Sequence, residues 1–224
     1  ANTNQNPAFH AVFDGAPFAA APAANQTNDL GKTVAGSDAF SLALNLSNLT
    51  FKNLAALHFE PKAGTLVDSW QAGKQSKHVT TFDAAYALVA LQIFQRAQDA
   101  LPVGYAAGDN GELNLKTQQG QQALELVRKQ ADFILGKLVG TNGLVHDGLT
   151  LGGKLDAGQS IDAQFAAIRG LTAAFLATSD AKYRTAAREL FIATDKAYFN
   201  TKAGTWLASK QGEYTPWTQA AISG

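Results

Sequence analysis

Two aspartates occupy matching places in the chain, each near the start of a predicted helix. Asp83 follows Thr81 by two residues, and Asp162 follows Ser160 by two residues. Carboxylates on neighbouring helices can divide the work of hydrolysis, since one donates a proton while the other activates a water molecule. The alternative is structural, because an aspartate in a first turn interacts favourably with the helix dipole. Thr80 and Asp83 also have the spacing of a capping box.

Aromatic side chains lie close to the same helix starts. Trp70, Tyr214 and Trp217 fall in the loops before the predicted helices or in their first turns. Flat aromatic faces offer sugar rings a stacking surface, so these residues are candidates for substrate binding. Packing of the loops against the core is the alternative for each of them.

Two of the four histidines precede these helices as well. His78 is a candidate for substrate binding, and His146, followed by Asp147, is a candidate for an oriented acid or base. The two imidazoles could approach each other in space. The four histidines never stand three or four residues apart, so no helix presents a pair of metal ligands. A histidine packed in a loop or on the surface is the structural alternative.

The composition excludes several classes of site and of partner. The 224 residues include no cysteine, which excludes disulfides, thiolate zinc sites and iron–sulfur clusters. We expect no metal and no cofactor. Eighteen basic and eighteen acidic residues balance, so nucleic-acid binding is not expected. No apolar run is long enough to span a membrane. The charged share of 16% and the small first residue, Ala1, favour a secreted, periplasmic or cell-surface protein.

The order of elements predicts an all-α chain. Residues 1–36, rich in Asn, Pro and Ala, are expected to form an extended N-terminal arm, and residues 37–224 a helical-hairpin domain. The predicted helices cover 37–59, 81–101, 115–139, 160–178 and 180–199, with a sixth beginning at Thr215.

Polarity alternates along these helices. The third and fifth are amphipathic, whereas the second and fourth are apolar on nearly every side and must be surrounded. This alternation predicts an outer and an inner layer. The side chains expected to be buried are Ala84, Tyr86, Leu88, Leu91, Phe165, Ile168 and Phe175. Those expected to be exposed are Arg128, Lys182, Arg188 and Lys196.

An internal repeat supports the two layers. The segment 59–65 recurs as 199–205, with Phe, Lys, Ala, Gly and Thr at the same spacing. Downstream, residues 81–87 match 160–166, and Thr215-Pro216-Trp217 occupies a third such place. The repeating unit is an outer helix, a long loop and an inner helix.

These motifs resemble the six-hairpin glycosidase-like superfamily, the (α/α)6 toroids. The likeness is carried by Phe59-x-Pro61-Lys62-x-Gly64-Thr65-Leu66 and by Asp180-Ala181-Lys182-Tyr183-x-x-Ala186-Ala187, and it extends over residues 37–224. Unsaturated glucuronyl hydrolases, N-acylglucosamine 2-epimerases and several polysaccharide lyases belong to this superfamily. The resemblance implies that the inner-helix N-termini surround a cleft, with Asp83 and Asp162 at acid/base positions. A full toroid has six hairpins and this chain supplies about three, so we expect a half-toroid or a fragment.

Together these features predict a secreted carbohydrate-binding or carbohydrate-processing protein with a cleft like that of a glycoside hydrolase or lyase. Its catalytic candidates are Asp83, Asp162 and His146, and its substrate-binding candidates are Trp70, Tyr214, Trp217 and His78. The alternative is a non-catalytic structural subunit of a cell-surface or envelope assembly. In either case we expect that other protein chains, identical or different, complete the ring across an interface above about 1,000 Å², or that the chain is a fragment of a longer polypeptide.

Overall fold

The computed structural model describes residues 39–99 and 118–208. These two stretches form five α-helices: α1, Ala39–Asn53; α2, Thr81–Asp99; α3, Gln118–Phe133; α4, Ile161–Thr178; and α5, Ala181–Tyr198. Helices α1 and α3 each continue into a π-helical turn, Leu54–His58 and Ile134–Leu138. The all-α prediction is confirmed, with helix ends within a few residues of those expected. The arm 1–36 and the sixth helix lie outside the described residues.

Eight short strands form four antiparallel pairs in the loops between the helices. The pairs are β1, Phe59–Glu60, with β2, Thr65–Leu66; β3, Trp70–Gln71, with β4, Lys74–Gln75; β5, His78–Thr80, with β6, Gly148–Thr150; and β7, Phe199–Asn200, with β8, Thr205–Trp206. Three pairs are local hairpins. The pair β5–β6 is different, because it joins loops that are about 70 residues apart in the chain.

The sequence repeat is a structural repeat. Phe59 pairs with Leu66 in the first hairpin, and Phe199 pairs with Trp206 in its second copy. A third copy follows α3, where Val139 bridges to Val145. In each copy the residue after the hairpin donates its N–H, at 2.9 Å, to the carbonyl that ends the preceding helix: Val67 to His58, His146 to Leu138 and Leu207 to Tyr198. Each outer helix therefore ends in the same hairpin.

The described residues divide into two compact units, 39–54 with 93–99 and 118–122, and 55–92 with 123–208. In the first unit the ring of Phe51 is buried and stacks on that of Phe94, with centroids 4.4 Å apart. The second unit holds the loops that carry the candidate residues.

Within the second unit the helices form two layers. The inner helices α2 and α4 approach so closely that a Cβ on Gly170 would lie 2.9 Å from the Ala85 backbone. The outer helices α3 and α5 meet where the buried Tyr183 donates its hydroxyl to Asp132 at 3.0 Å. The predictions for Ala84, Leu88 and Leu91, which are buried, and for Arg128, Lys182, Arg188 and Lys196, which are exposed, are confirmed.

The burial prediction for Tyr86 is wrong. Tyr86 is 39% exposed, as is its neighbour Phe82 at 41%, so α2 is open along one face. The two rings stack on each other at 4.5 Å, and the Arg169 guanidinium lies 5.8 Å from the Tyr86 ring. Mutual stacking covers part of each ring without a surrounding layer. The side chains of Phe165, Ile168 and Phe175 are half-buried.

We expect Gly170→Ala to lower the free energy of unfolding by about 1–3 kcal/mol, because the added methyl group forces α2 and α4 apart. Urea denaturation of the two proteins measures the loss. Gly136→Ala is the matched control, since a Cβ there meets nothing within 4 Å. Equal stabilities for the two variants would contradict the close approach of the inner helices.

Candidate functional site

The loops that precede α2 and α4 form one structure, which we call the loop platform: residues 67–80 and 145–160. Strands β5 and β6 hold its two parts together through the pairs His78–Thr150, Val79–Leu149 and Thr80–Gly148. The pairing continues at both ends, where Thr81 N donates to Asp147 O at 2.8 Å and Leu151 N donates to Lys77 O at 2.7 Å. The backbone therefore fixes the candidate side chains relative to one another.

His78 lies between two carboxylates of this platform. Its Nδ1 is 3.2 Å from Asp68 Oδ2, and its Nε2 is 2.9 Å from Asp156 Oδ2. Burial lowers the pKa of His78, but the hydrogen bonds to both carboxylates and their charges outweigh it, so the pKa is raised above the ordinary 6.5. A ring that donates to two carboxylates is a doubly protonated imidazolium. His78 thus cross-links two loops and has no ring nitrogen left for a substrate.

His146 has a different arrangement. Its Nδ1 lies 2.7 Å from the backbone carbonyl of Asp156, and a carbonyl can only accept, so Nδ1 carries a proton. The other nitrogen, Nε2, has no hydrogen-bond partner in residues 39–99 and 118–208. It lies beside Gly140, 3.1 Å from where a Cβ would stand. His78 and His146 both contact Asp156, His78 at its carboxylate and His146 at its backbone carbonyl.

Asp147 does not orient His146, contrary to expectation. Its Oδ1 accepts hydrogen bonds from Ser160 N at 2.6 Å and Ser160 Oγ at 2.7 Å. Asp68 plays the same part in the first repeat, where Oδ1 accepts from Thr80 N at 2.8 Å. Each aspartate holds the residue that caps the following inner helix.

The equivalence of Asp68 and Asp147 changes the alignment of α2 with α4 by one residue from the one that the sequence repeat suggested. Thr80 Oγ1 caps α2 by accepting from Asp83 N at 3.1 Å, and Ser160 Oγ caps α4 by accepting from Ala163 N at 3.3 Å. Ser160 therefore corresponds to Thr80 and not to Thr81. Asp83 is the third residue of its helix and Asp162 the second, a difference of about 100° around the helix axis.

The two aspartates accordingly have different surroundings. Asp83 is exposed, and its Oδ2 accepts from Thr80 Oγ1 at 2.8 Å, which completes the expected capping pair. Asp162 is half-buried, and its Oδ1 is shielded from solvent without a hydrogen-bond partner in the part of the chain that the structure describes. Burial, and then the charge of Asp147, raise the pKa of Asp162 above its ordinary value. A cleft shared by Asp83 and Asp162 stays a prediction.

The structure describes one of the three aromatic candidates. Trp70 lies on β3 and is 41% exposed. Tyr214 and Trp217 lie outside the described residues. Trp206 packs against the core, with its ring edge-on to Phe165 and Phe199 at centroid distances of 5.6 and 5.1 Å. Sugar stacking on Trp70 stays a prediction.

Sequence reasoning missed Asp68 and Asp156 as members of the site. The repeat contained a signal for Asp68, because Leu66-Val67-Asp68 resembles the segment that ends at Asp147. It contained none for Asp156, whose counterpart is Ser76: the two backbone N–H groups make matching bonds, to Gly148 O and Ser69 O.

Asparagine substitutions at the two helix starts should have opposite effects on stability. Because the pKa of Asp162 is raised in the folded chain, its ionised form opposes folding at neutral pH, and this penalty vanishes below the unfolded value of 3.8. Asp162→Asn should raise the free energy of unfolding at pH 7 and change it little at pH 3. Asp83→Asn should lower it by about 0.3–1 kcal/mol at pH 7. Urea denaturation at both pH values tests this, and equal losses in both variants would contradict it.

Neither described stretch contains a helix long and apolar enough to cross a membrane. The same residues contain no group of three or more His, Cys, Asp or Glu side chains arranged to hold a metal ion.

Comparison with known proteins identifies the fold. No protein-family model matches the chain, and no curated protein matches its sequence. Solved structures do match. A sugar epimerase from a ruminal bacterium has a TM-score of 0.57 at 14% identity, covering 79% of this chain and 42% of its own. A D-mannose isomerase has a TM-score of 0.53 at 15% identity, covering 73% and 39%. Cellobiose 2-epimerase from Bacillus thermoamylovorans B4167 has a TM-score of 0.52 at 14% identity, covering 77% and 44%.

The chain spans about two-fifths of the length of these structures. They are (α/α)6 toroids. The chain therefore has the all-α helical-hairpin fold of the (α/α)6 toroids, as its sequence motifs predicted.

Proposed function

We propose that this chain contributes to a carbohydrate-processing enzyme that moves a proton on a sugar, with His146 as the acid/base. The observation that carries the proposal is the imidazole of His146, whose Nδ1–H is fixed to the Asp156 carbonyl at 2.7 Å. This bond selects the tautomer in which Nε2 has a free lone pair. A histidine held in this way has one ring nitrogen available to take up a proton and return it.

The structural neighbours favour proton transfer over bond cleavage. They are named as epimerases and an isomerase of sugars. Isomerising an aldose to a ketose requires that one proton be removed from C2 and one be returned to C1 on the same face, which a single histidine can do, whereas inverting C2 needs a second proton donor on the opposite face. His78 is unsuited to this role, because both of its nitrogens face carboxylates. Because the chain covers two-fifths of the neighbours' length, the substrate and the reaction are both part of the proposal.

Glycoside hydrolysis or lysis is the second candidate. The raised pKa of Asp162 favours it, because a general acid must keep its proton near neutral pH. In this version Asp83 would be the second carboxylate. The capping bond from Thr80 to Asp83 weighs against it.

Solvent-exchange NMR separates the two candidates. The full chain is incubated in D2O with mannose, with cellobiose and with a longer unlabelled glycan. Proton transfer predicts deuterium at the carbon beside the carbonyl, together with an epimer or a ketose. Cleavage products without deuterium would favour the second candidate. No reaction with any sugar would contradict both and favour the non-catalytic subunit.

A further inference from the structure

We propose that His78 is a positioning residue for His146: its imidazolium clamps Asp68 to Asp156, and Asp156 in turn holds the ring of His146. The consequence for catalysis rests on the proposed function, whereas the structural coupling between the two histidines does not.

Asp156 contacts both imidazole rings, one through its side chain and the other through its backbone. Its carboxylate accepts from His78 Nε2 at 2.9 Å, while its backbone carbonyl accepts from His146 Nδ1 at 2.7 Å. Its own N–H donates to Gly148 O at 2.9 Å. Because the carboxylate and the carbonyl belong to one residue, fixing the carboxylate restricts the movement of the backbone acceptor of His146.

Asp68 anchors the other side of the clamp. Its Oδ2 faces His78 Nδ1 at 3.2 Å, and its Oδ1 accepts from Thr80 N at 2.8 Å, at the start of α2. The clamp thus ties Asp156 to the N-terminus of an inner helix. It also packs tightly on Gly148, where a Cβ would lie 2.8 Å from Asp156 Oδ2 and 3.0 Å from His78 Cε1.

The charges around His78 make the clamp sensitive to protonation. Asp68 and Asp156 face the ring from two loops, and the paired strand β6, Gly-Leu-Thr, contributes no ionisable side chain. In the first turn of α2, the Asp83 carboxylate is bound to Thr80. A neutral imidazole has only one N–H, so deprotonation releases one of the two carboxylates. Because the pKa of His78 is raised, the clamp stays closed to a higher pH than an ordinary histidine would allow, and it opens when the pH rises above that pKa.

NMR of the imidazole nitrogens in the full 224-residue chain tests the coupling without any substrate. The four histidines are assigned by single substitutions. At pH 6 we expect His78 to carry protons on both nitrogens, and at pH 7.5 we expect His146, where neutral, to hold its proton on Nδ1. In His78→Gln and in Asp156→Asn, His146 should change to a mixture of tautomers, whereas His58 should be unaffected.

Asp68→Asn is the variant to use if the other two fail to fold. It keeps the shape of the Asp68 side chain and removes one charge from the clamp. It should lower the pH at which His78 loses its second proton and shift the His146 signals over the same range. A His146 signal that stays in the Nδ1–H form in every folded variant would overturn the proposal. Tautomer changes without sugar turnover would uphold the coupling and reject the proposed function. If both hold, His78→Gln should lower kcat about tenfold and leave KM unchanged.

Discussion

Replacing His146 with asparagine is expected to slow sugar proton exchange by about 10²–10⁴-fold, the usual contribution of a general acid/base. The Asn amide nitrogen can take the place of Nδ1 and keep the bond to the Asp156 carbonyl, which is 2.7 Å long in the native chain. The substitution therefore removes Nε2 and leaves the loop intact. The rate of deuterium incorporation from D2O, compared between the two proteins at saturating sugar, measures the effect.

His58 provides a matched control for this substitution. It is also half-buried, with Nδ1 3.1 Å from a backbone carbonyl, that of Val67 at the edge of the loop platform, but His58 itself ends an outer helix. His58→Asn should exchange sugar protons at the native rate. An undiminished rate in His146→Asn would reject His146 as the acid/base, and a slow rate in both variants would show general damage to the fold.

The sequence predicted the helices because their signals are local. Hydrophobic periodicity placed all five, and cap residues fixed two of their starts: Ser160 accepts from Ala163 N, and Asp180 accepts from Lys182 N. The hairpin repeat could also be predicted from the sequence, since a glycine recurs in it as Gly64 and Gly204, both of which have a positive φ.

The exposure of one face of α2 could not be predicted from the sequence. An apolar residue signals that some partner could cover it, but periodicity does not show whether a partner does. Tyr86 and Phe82 stack on each other instead, four residues apart on the same side of the helix.

The sequence predicted individual residues of the site but not the contacts between them. His78 and His146 were recognised as candidates because they precede inner helices. Their link through Asp156 depends on the pairing of β5 with β6, which joins distant segments and leaves no local pattern. The one-residue shift between Asp83 and Asp162 was equally hidden, because Thr80 and Thr81 are both plausible caps and only the hydrogen bonds distinguish them.

Buried glutamines were a further feature that hydrophobicity could not reveal. Gln164 lies on α4 and is fully buried, with every polar group of its amide bonded. Its Oε1 accepts from Val145 N at 2.8 Å, and its Nε2 donates to Val145 O at 2.8 Å and to Ser160 O at 3.0 Å. Val145 pairs with Val139 on one side of its strand. The glutamine amide takes the place of a neighbouring strand on the other side.

Gln164→Leu is therefore expected to lower the free energy of unfolding by about 3–5 kcal/mol. Leucine fills a similar volume, but it leaves the N–H and C=O of Val145 buried without partners, at about 1–3 kcal/mol each. Urea denaturation at pH 7 measures the loss. The exposed Gln122 on α3 is the control, since Gln122→Leu should change the stability by less than about 0.5 kcal/mol.

Gln164→Glu distinguishes lost hydrogen bonds from poor packing. A glutamate keeps the acceptor for Val145 N, but it turns its second oxygen towards two carbonyls, those of Val145 and Ser160. Only a protonated carboxyl can donate there, so this variant should be much less stable at pH 7 than at pH 4, relative to the native chain at each pH. The contrary result is that Gln164→Leu and Gln164→Glu lower the free energy of unfolding as little as Gln122→Leu does. That result would show that strand pairing alone holds the hairpin and that the amide of Gln164 is dispensable.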